Sequence, residues 1–308
     1  RRSIDFHILN FTRPEGGGCI VIRRRPITPG NLLICESLYL GNGECVLYRF
    51  GIENPLTFSD NIDNPSGFFK KSIASKMNEE ERIRLAYSRR HTDEVVYSFF
   101  NPGYLFMVQQ LEKDLIKAFH RYQVNPLGDK KILEVGCCVG VRLRELVRYG
   151  AIPENLCGID LLPNAIEKAR SISPNIDFKC RNAESLPFGI ETFDIVTQFV
   201  MFTSILEDRM KENAAKEMLR VLKPNGIILW YDYCVSKPTN PDVKGIGKKE
   251  ITRLFQNCIF DFEKVTLAPP IARAISPHSF LLCYLLEKIP WLRTHYLVVI
   301  RKGVYARS

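Results

Sequence analysis

The chain has 308 residues, 45% of them hydrophobic, and a formal net charge of +9. That length and apolar content suit a globular protein with a full core, built as one large domain or as one domain plus an appendage. No run of about 18 uncharged apolar residues occurs, because residues 280–300 are interrupted by Glu287, Lys288, Pro290 and Arg293, so no membrane-spanning helix is expected. The ten cysteines show no CxxC and no Cys/His spacing suited to zinc; they are expected to be reduced, mostly buried thiols, with no metal centre. The opening "RRSIDFHILNF" lacks both Met and the succession of a signal peptide, which reads as a chain cut upstream and as a cytoplasmic protein. Residues 237–308 carry 12 Lys/Arg against 5 Asp/Glu. This basic tail reads first as a solvated face, and it can also meet an anionic substrate, nucleic acid or a membrane surface as a peripheral contact.

Residues 1–70 are rich in glycine, proline and short β-like runs and carry no motif, so they read as an unassigned segment or a small β appendage. Residues 71–130 read as a helical lead-in or cap. Asn78 is an N-cap ahead of an acidic first turn, opening a helix through about Arg90. After the Asn101-Pro102-Gly103 turn, apolar residues from Tyr104 to Phe119 recur at helical spacing. From 131 to 308 strands and helices alternate as in a parallel α/β sheet. Strands are expected at 131–136, 156–161, 176–181, 193–199 and 226–233, with helices near 140–149, 163–171, 205–222 and 247–256. A strand at 260–268, a helical insert at 277–289 and a last strand at 294–302 complete seven strands.

The first of these strands runs into Glu134-Val135-Gly136-Cys137-Cys138-Val139-Gly140. Dinucleotide sites use G-x-G-x-x-G to bring backbone amides to a pyrophosphate, and glycines four apart argue against that. Asp160 follows Gly136 by 24 residues, at the end of the second strand, where an acid can accept from two ribose hydroxyls. "RNAESLPF", "FDIVTQFVMFTSI" and "EMLRVLKPNGIILWYDY" follow in order.

This set, over roughly residues 75–303, resembles motif I and the later motifs of the class I S-adenosylmethionine-dependent methyltransferases, whose first motif is E/D-x-G-x-G-x-G. The resemblance implies a seven-stranded Rossmann-like α/β sheet with helices on both faces, and S-adenosylmethionine as the cofactor. It implies that Glu134, Gly136, Cys138, Gly140, Asp160, Leu161, Asn182, Ala183, Gln198 and Phe199 surround that cofactor. Asp160 would take the ribose, Leu161 would lie beside the adenine with Asn182 and Ala183 at its edge, and Gln198 and Phe199 would face the methionine part. Gly136 and Gly140 would let the backbone approach closely. Cys138 replaces the middle glycine, and a positive φ there would cost about 1–2 kcal/mol. More locally, the segments flanking the core look like a bacterial type 11 methyltransferase group associated with polysaccharide and small-molecule biosynthesis, which implies a small-molecule or glycan acceptor.

Methyl transfer is an in-line displacement, so positioning and water exclusion carry much of the catalysis, and only a weakly acidic acceptor needs a general base. The catalytic candidates are Asp232, Tyr231 and Tyr104. Tyr97, Asn101 and Tyr233 are further acceptor-side candidates, and His91 and His295 read as structural or surface histidines. The leading expectation is methyl transfer to a hydroxyl of a metabolite, sugar or lipid-linked glycan. C-methylation of a quinone-like acceptor, an RNA or protein methyltransferase, and a binding protein with a decayed cofactor site are the alternatives. The missing N/D-P-P-Y/F motif after the fourth strand and the lack of an RNA-binding module make nucleic acid an unexpected partner.

Overall fold

The computed structural model describes residues 23–26, 33–41, 44–52, 78–89, 95–236 and 240–303. The chain divides into two compact units, Arg1–Lys76 and Met77–Ser308. In the first, β1 (Arg23–Pro26), β2 (Leu33–Gly41) and β3 (Glu44–Ile52) pair antiparallel in that order.

The second unit opens with α1 (Glu79–Ser88) and α2 (Pro102–Arg121). Asn78 caps α1 with a full capping box, its side chain accepting from the Glu81 N–H while the Glu81 carboxylate reaches back to the Asn78 N–H. Then follow β4 (Ile132–Val135), α3 (Val141–Arg148), β5 (Leu156–Asp160), α4 (Pro163–Ile172), β6 (Asp177–Cys180), β7 (Phe193–Phe199), α5 (Asp208–Val221) and β8 (Leu222–Tyr233). The unit closes with α6 (Lys248–Leu254), β9 (Cys258–Leu267), α7 (Pro269–Ile275), α8 (Phe280–Glu287) and β10 (Arg293–Lys302). The sheet order is β6-β5-β4-β7-β8-β10-β9. β10 runs antiparallel to both neighbours while the first five strands are parallel. This is the seven-stranded α/β sheet that the alternation predicts.

Strand alternation assigns the two faces. Ile132, Ile195, Leu229 and Leu297 meet Leu115 and Phe119 of α2, Leu143 of α3 and Ile166 of α4. Leu133, Val196, Trp230 and Val298 meet Ala214 and Met218 of α5 and Ile251 of α6. The lead-in helix α2 is thus a full member of one layer. Each such fully buried aliphatic or aromatic side chain stabilises the fold by about 1.5–3 kcal/mol.

Several expected boundaries shift. The strand expected from 226 starts at Leu222, where pairing jumps from Phe193↔Leu222 to Ile195↔Ile227, so the Lys223–Gly226 turn is a bulge inside β8. The helix expected at 205–222 begins at Asp208, after a short 3-10 turn at Phe202–Ser204. The expected insert at 277–289 is preceded by a second helix, α7, whose two prolines occupy its first turn. Proline is tolerated there because the first-turn amides have no intrahelical partner.

β5 has no room at Gly158. A Cβ there would stand 2.8 Å from Cys137 Sγ, Leu143 Cδ1 and Phe178 Cδ1. Gly158→Ala is expected to destabilise the protein by about 1–3 kcal/mol through overpacking, read as a lowered midpoint in urea unfolding with an unchanged slope.

Candidate cofactor and acceptor site

The turn after β4 is wound left-handed at Gly136 (φ +78), Cys138 (φ +49) and Gly140 (φ +76). The Gly136 and Cys137 amides both donate to Ile159 O on β5, at 2.8 and 2.9 Å. Cys138 therefore does adopt the positive φ that a side chain resists. Its side chain is exposed, while Cys137 and Cys283 are the fully buried cysteines among those described, which corrects the expectation of mostly buried thiols. Gly136 and Gly140 are also confined by the protein itself. A Cβ at Gly140 would come within 2.6 Å of the Phe178 ring, and one at Gly136 within 2.8 Å of Met201 Cγ. Packing inside the protein forbids a side chain at both.

Asp160 ends β5, and its carboxylate accepts from the Cys138 N–H at 2.8 Å and the Leu162 N–H at 2.9 Å. Burial raises its pKa above the usual carboxylate value, against the pull of these amides. Glu134 on β4 is fully buried, and its Oε2 has no hydrogen-bond partner. Burial pushes its pKa up to about 8, only partly offset by the nearby Arg142 guanidinium.

Arg142 lies in the first turn of α3, held by Glu145 at 2.6 Å and 5.5 Å from the Phe199 ring centroid. The sequence reading passed over it, although a cation at a helix N-terminus opposes the macrodipole and needs a partner. α1 borders the other side. Its Glu79 carboxylate accepts from the Leu206 and Glu207 amides, and Arg82 donates to Ser204 O. Ile83 packs with Ile205 and Met210, and Tyr87, Leu161 and Met201 lie against them.

Two expected cofactor contacts are already engaged within the protein. Asn182 Oδ1, expected at an adenine amino group, accepts from the Glu184 N–H at 2.9 Å, and its Nδ2 reaches Glu80 on α1 at 3.2 Å. Ala183 beside it is buried. Gln198 is fully buried; it donates to Tyr231 O at 3.3 Å and accepts from the Met201 N–H at 3.1 Å, bracing the chain reversal after β7. Phe199 is half-buried, 6.1 Å from the Tyr231 ring.

On the acceptor side, Asp232 is buried with both oxygens occupied. Oδ1 accepts from Thr203 Oγ1 at 2.7 Å and the Tyr233 N–H at 2.9 Å, and Oδ2 accepts from the Thr203 N–H at 3.2 Å. Burial pushes its pKa up to about 7. Tyr231 shares a hydrogen bond with Thr266 Oγ1 at 2.9 Å and stacks on His295 with centroids 4.7 Å apart. His295 is buried, which pushes its pKa down to about 3 and leaves it neutral. Tyr233 lies 3.8 Å from the same imidazole. Tyr104 is half-buried, edge-on to Tyr97 and Phe99 at 5.8 and 5.6 Å, and burial raises its pKa. Arg273 of α7, also missed from the sequence, lies 6.0 Å from the Tyr97 ring. Asn101 caps α2, accepting from the Gly103 and Tyr104 amides at 3.0 and 3.2 Å, so its side chain serves the helix. His91 lies outside the described residues.

A hollow of about 300 Å³ lined by Lys131, Cys157, Asp177 and Phe193 sits at the amino ends of the strands, opposite to Asp160. Ligands of open parallel sheets bind beyond the carboxyl ends, so that hollow is separate from this site.

Residues 132–226 match the family model described as a methyltransferase domain. Among curated proteins, an uncharacterized protein of Haemophilus influenzae is 40% identical over 111 residues, covering 34% of this chain and 43% of that protein. A ubiquinone/menaquinone biosynthesis C-methyltransferase of Idiomarina loihiensis is 29% identical over 120 residues, covering 39% and 41%. A phthiotriol/phenolphthiotriol dimycocerosates methyltransferase of Mycobacterium tuberculosis is 34% identical over 128 residues, covering 41% and 45%. The matched stretch spans less than half the length of each of these relatives.

Cys138→Gly removes a Cβ from a left-handed, exposed residue. It is expected to stabilise the protein by up to about 1 kcal/mol, the relieved strain being partly offset by unfolded-state entropy. Urea unfolding of the two proteins checks this.

Proposed function

We propose that the chain, whose residues 132–226 match a methyltransferase domain, moves a methyl group from S-adenosylmethionine to a small molecule that ionises readily. The observation that carries the reading is Asp160, held at the end of β5 by two backbone amides beside a left-handed glycine turn. The residues fit the cofactor. Asp160 is oriented by those amides and keeps lone pairs for two ribose hydroxyls. Glu134 offers a buried carboxyl oxygen with no partner, suited to the ammonium of the methionine portion. When bound, the cofactor supplies an electrophilic methyl group on a neutral leaving group. The chain's own residues orient it and keep water out.

Proton acceptance is scarce among the acceptor-side candidates described. Asp232 accepts three hydrogen bonds from Thr203 and Tyr233 and acts as a positioning residue for the turn after β7. His295, with its pKa near 3, is a poor base at neutral pH. An alcohol would need a base there, whereas a phenol, enol or quinol needs little help. This supports an acidic hydroxyl as the acceptor over a sugar hydroxyl. C-methylation at the ring carbon beside such a hydroxyl is the second reading, favoured by the same shortage of bases and by the C-methyltransferase named among the relatives. The Arg142 guanidinium beside Phe199 would favour an acceptor oxyanion.

Calorimetric titration with S-adenosylmethionine is expected to show binding that Asp160→Ala weakens by at least about tenfold, the scale of lost charge-assisted hydrogen bonds. Glu134 attracts a cation only when ionised, so affinity should fall as pH drops below about 8, by up to about tenfold per pH unit. Glu134→Gln should flatten that dependence. Absence of binding by the wild type at every pH would overturn the reading.

Formation of S-adenosylhomocysteine with phenolic, quinol and sugar acceptors tests the acceptor class, with the sugars expected to be the slow set. Asp232→Asn should lower stability by about 1–3 kcal/mol, since it turns an amide toward the Thr203 N–H, and leave the pH profile of kcat unchanged. A fall in kcat of about 100-fold or more with a lost basic limb would instead make Asp232 the general base.

A further inference from the structure

We propose that α8 and the turn following it dock this protein on an anionic lipid bilayer. α8 turns Phe280 and Cys283 inward, where Phe280 meets Phe106 at 5.7 Å and Cys283 is fully buried. Its outer face is open: Leu281 is 69% and Leu285 58% exposed, with Leu282 beside them and the part-exposed Tyr284 at the edge, where its ring meets Phe106 at 5.2 Å. Trp291, in the Pro290–Leu292 turn that follows, is 80% exposed. Residues three and four apart share a helix face, so Leu281, Leu282 and Leu285 form one apolar surface with the tryptophan following it. Single exposed leucines are ordinary, but a contiguous patch of this kind marks an interaction surface.

The charge around the patch selects the partner. Lys113 of α2 lies 5.4 Å from the Tyr284 ring, and Lys288 is exposed at the end of α8. From Pro269 to Arg293 the chain has three Lys/Arg, Arg273, Lys288 and Arg293, and one acid, Glu287, whose Oε1 is buried. An apolar face rimmed by cations, with an aromatic anchor, is the pattern of a surface-bound helix on anionic headgroups. No described helix is long and apolar enough to cross a membrane, so the contact lies in the interface. α7, which immediately precedes α8, packs on α2 so closely that a Cβ at Gly103 would stand 2.6 Å from Arg273 Cα. The α7–α8 pair therefore joins the bilayer-facing surface to the Arg273 and Tyr97 side of the site. The docking stands without the methyl-transfer reading; that the acceptor arrives dissolved in the bilayer rests on it.

The test is co-sedimentation of the full chain with vesicles of phosphatidylcholine and phosphatidylglycerol, beside vesicles of phosphatidylcholine alone. The wild type is expected to pellet with the anionic vesicles, less so at high salt. The exposed-residue variants L281S/L285S and W291A, checked for native circular dichroism, should bind about tenfold less or weaker still. Trp230 is fully buried, so acrylamide quenching reads Trp291 and should drop on binding. Asp160→Ala should bind vesicles like wild type, which separates this result from any failure of the cofactor site. No partition of the wild type, partition indifferent to the leucine variants, or a dimer that those variants dissolve would each overturn the proposal, the last by assigning the patch to a second copy.

Discussion

The carboxylate of Asp160 fixes the geometry on which the site depends. Its two oxygens hold the Cys138 amide of the turn after β4 and the Leu162 amide that leads into α4. Ile159 O beside it takes the Gly136 and Cys137 amides. Two crossover turns that would otherwise be independent loops become one unit tied to the end of β5. Parallel strands bring their connections to the same edge, and buried backbone groups must find partners there. Here that requirement and the shaping of a ligand site are met by the same few atoms.

The same edge holds residues in unfavourable backbone conformations. Besides Cys138, Val200 (φ +57) and Thr266 (φ +62) are left-handed β-branched residues. Both act on Tyr231: the Val200 amide donates to its carbonyl at 2.8 Å, and Thr266 Oγ1 meets its hydroxyl. Such conformations cost on the order of 1–3 kcal/mol each and persist where surrounding packing over-determines them. The surrounding packing is the pair of core layers on either face of β8, in which Leu229 and Trp230 are wholly buried. The core thus holds a strained, well-defined rim in place.

The strands were legible along the chain because buried parallel strands are short apolar runs between turn signals, as in Ile132–Val135 and Phe193–Phe199. The α7 helix was hidden by its own start, since Pro269 and Pro270 read as loop until their first-turn position is seen. The place of Asp160 at the end of a strand could be read because its neighbours lie close in sequence. The engagement of Asp232 could not, because Thr203 lies on a different turn, 29 residues away, and only the fold brings their side chains together. The partners of Gln198 were hidden for a related reason: it stands at a strand end as expected, and its side chain bonds back to Tyr231 and Met201. Position along a strand predicts where a residue stands and says less about which partner takes its polar atoms.

The glycines of the turn bear on how such a chain drifts over time. Gly140 is kept free of a side chain by the Phe178 ring and Gly136 by Met201, both of them parts of the protein. A lineage that stopped using its ligand would still be under selection to keep these glycines, because a Cβ at either would unsettle the fold first. The spacing of the motif is therefore inherited with the architecture, and the positions free to erode after loss of activity are those, like Glu134 with its unpartnered Oε2, whose burial costs stability.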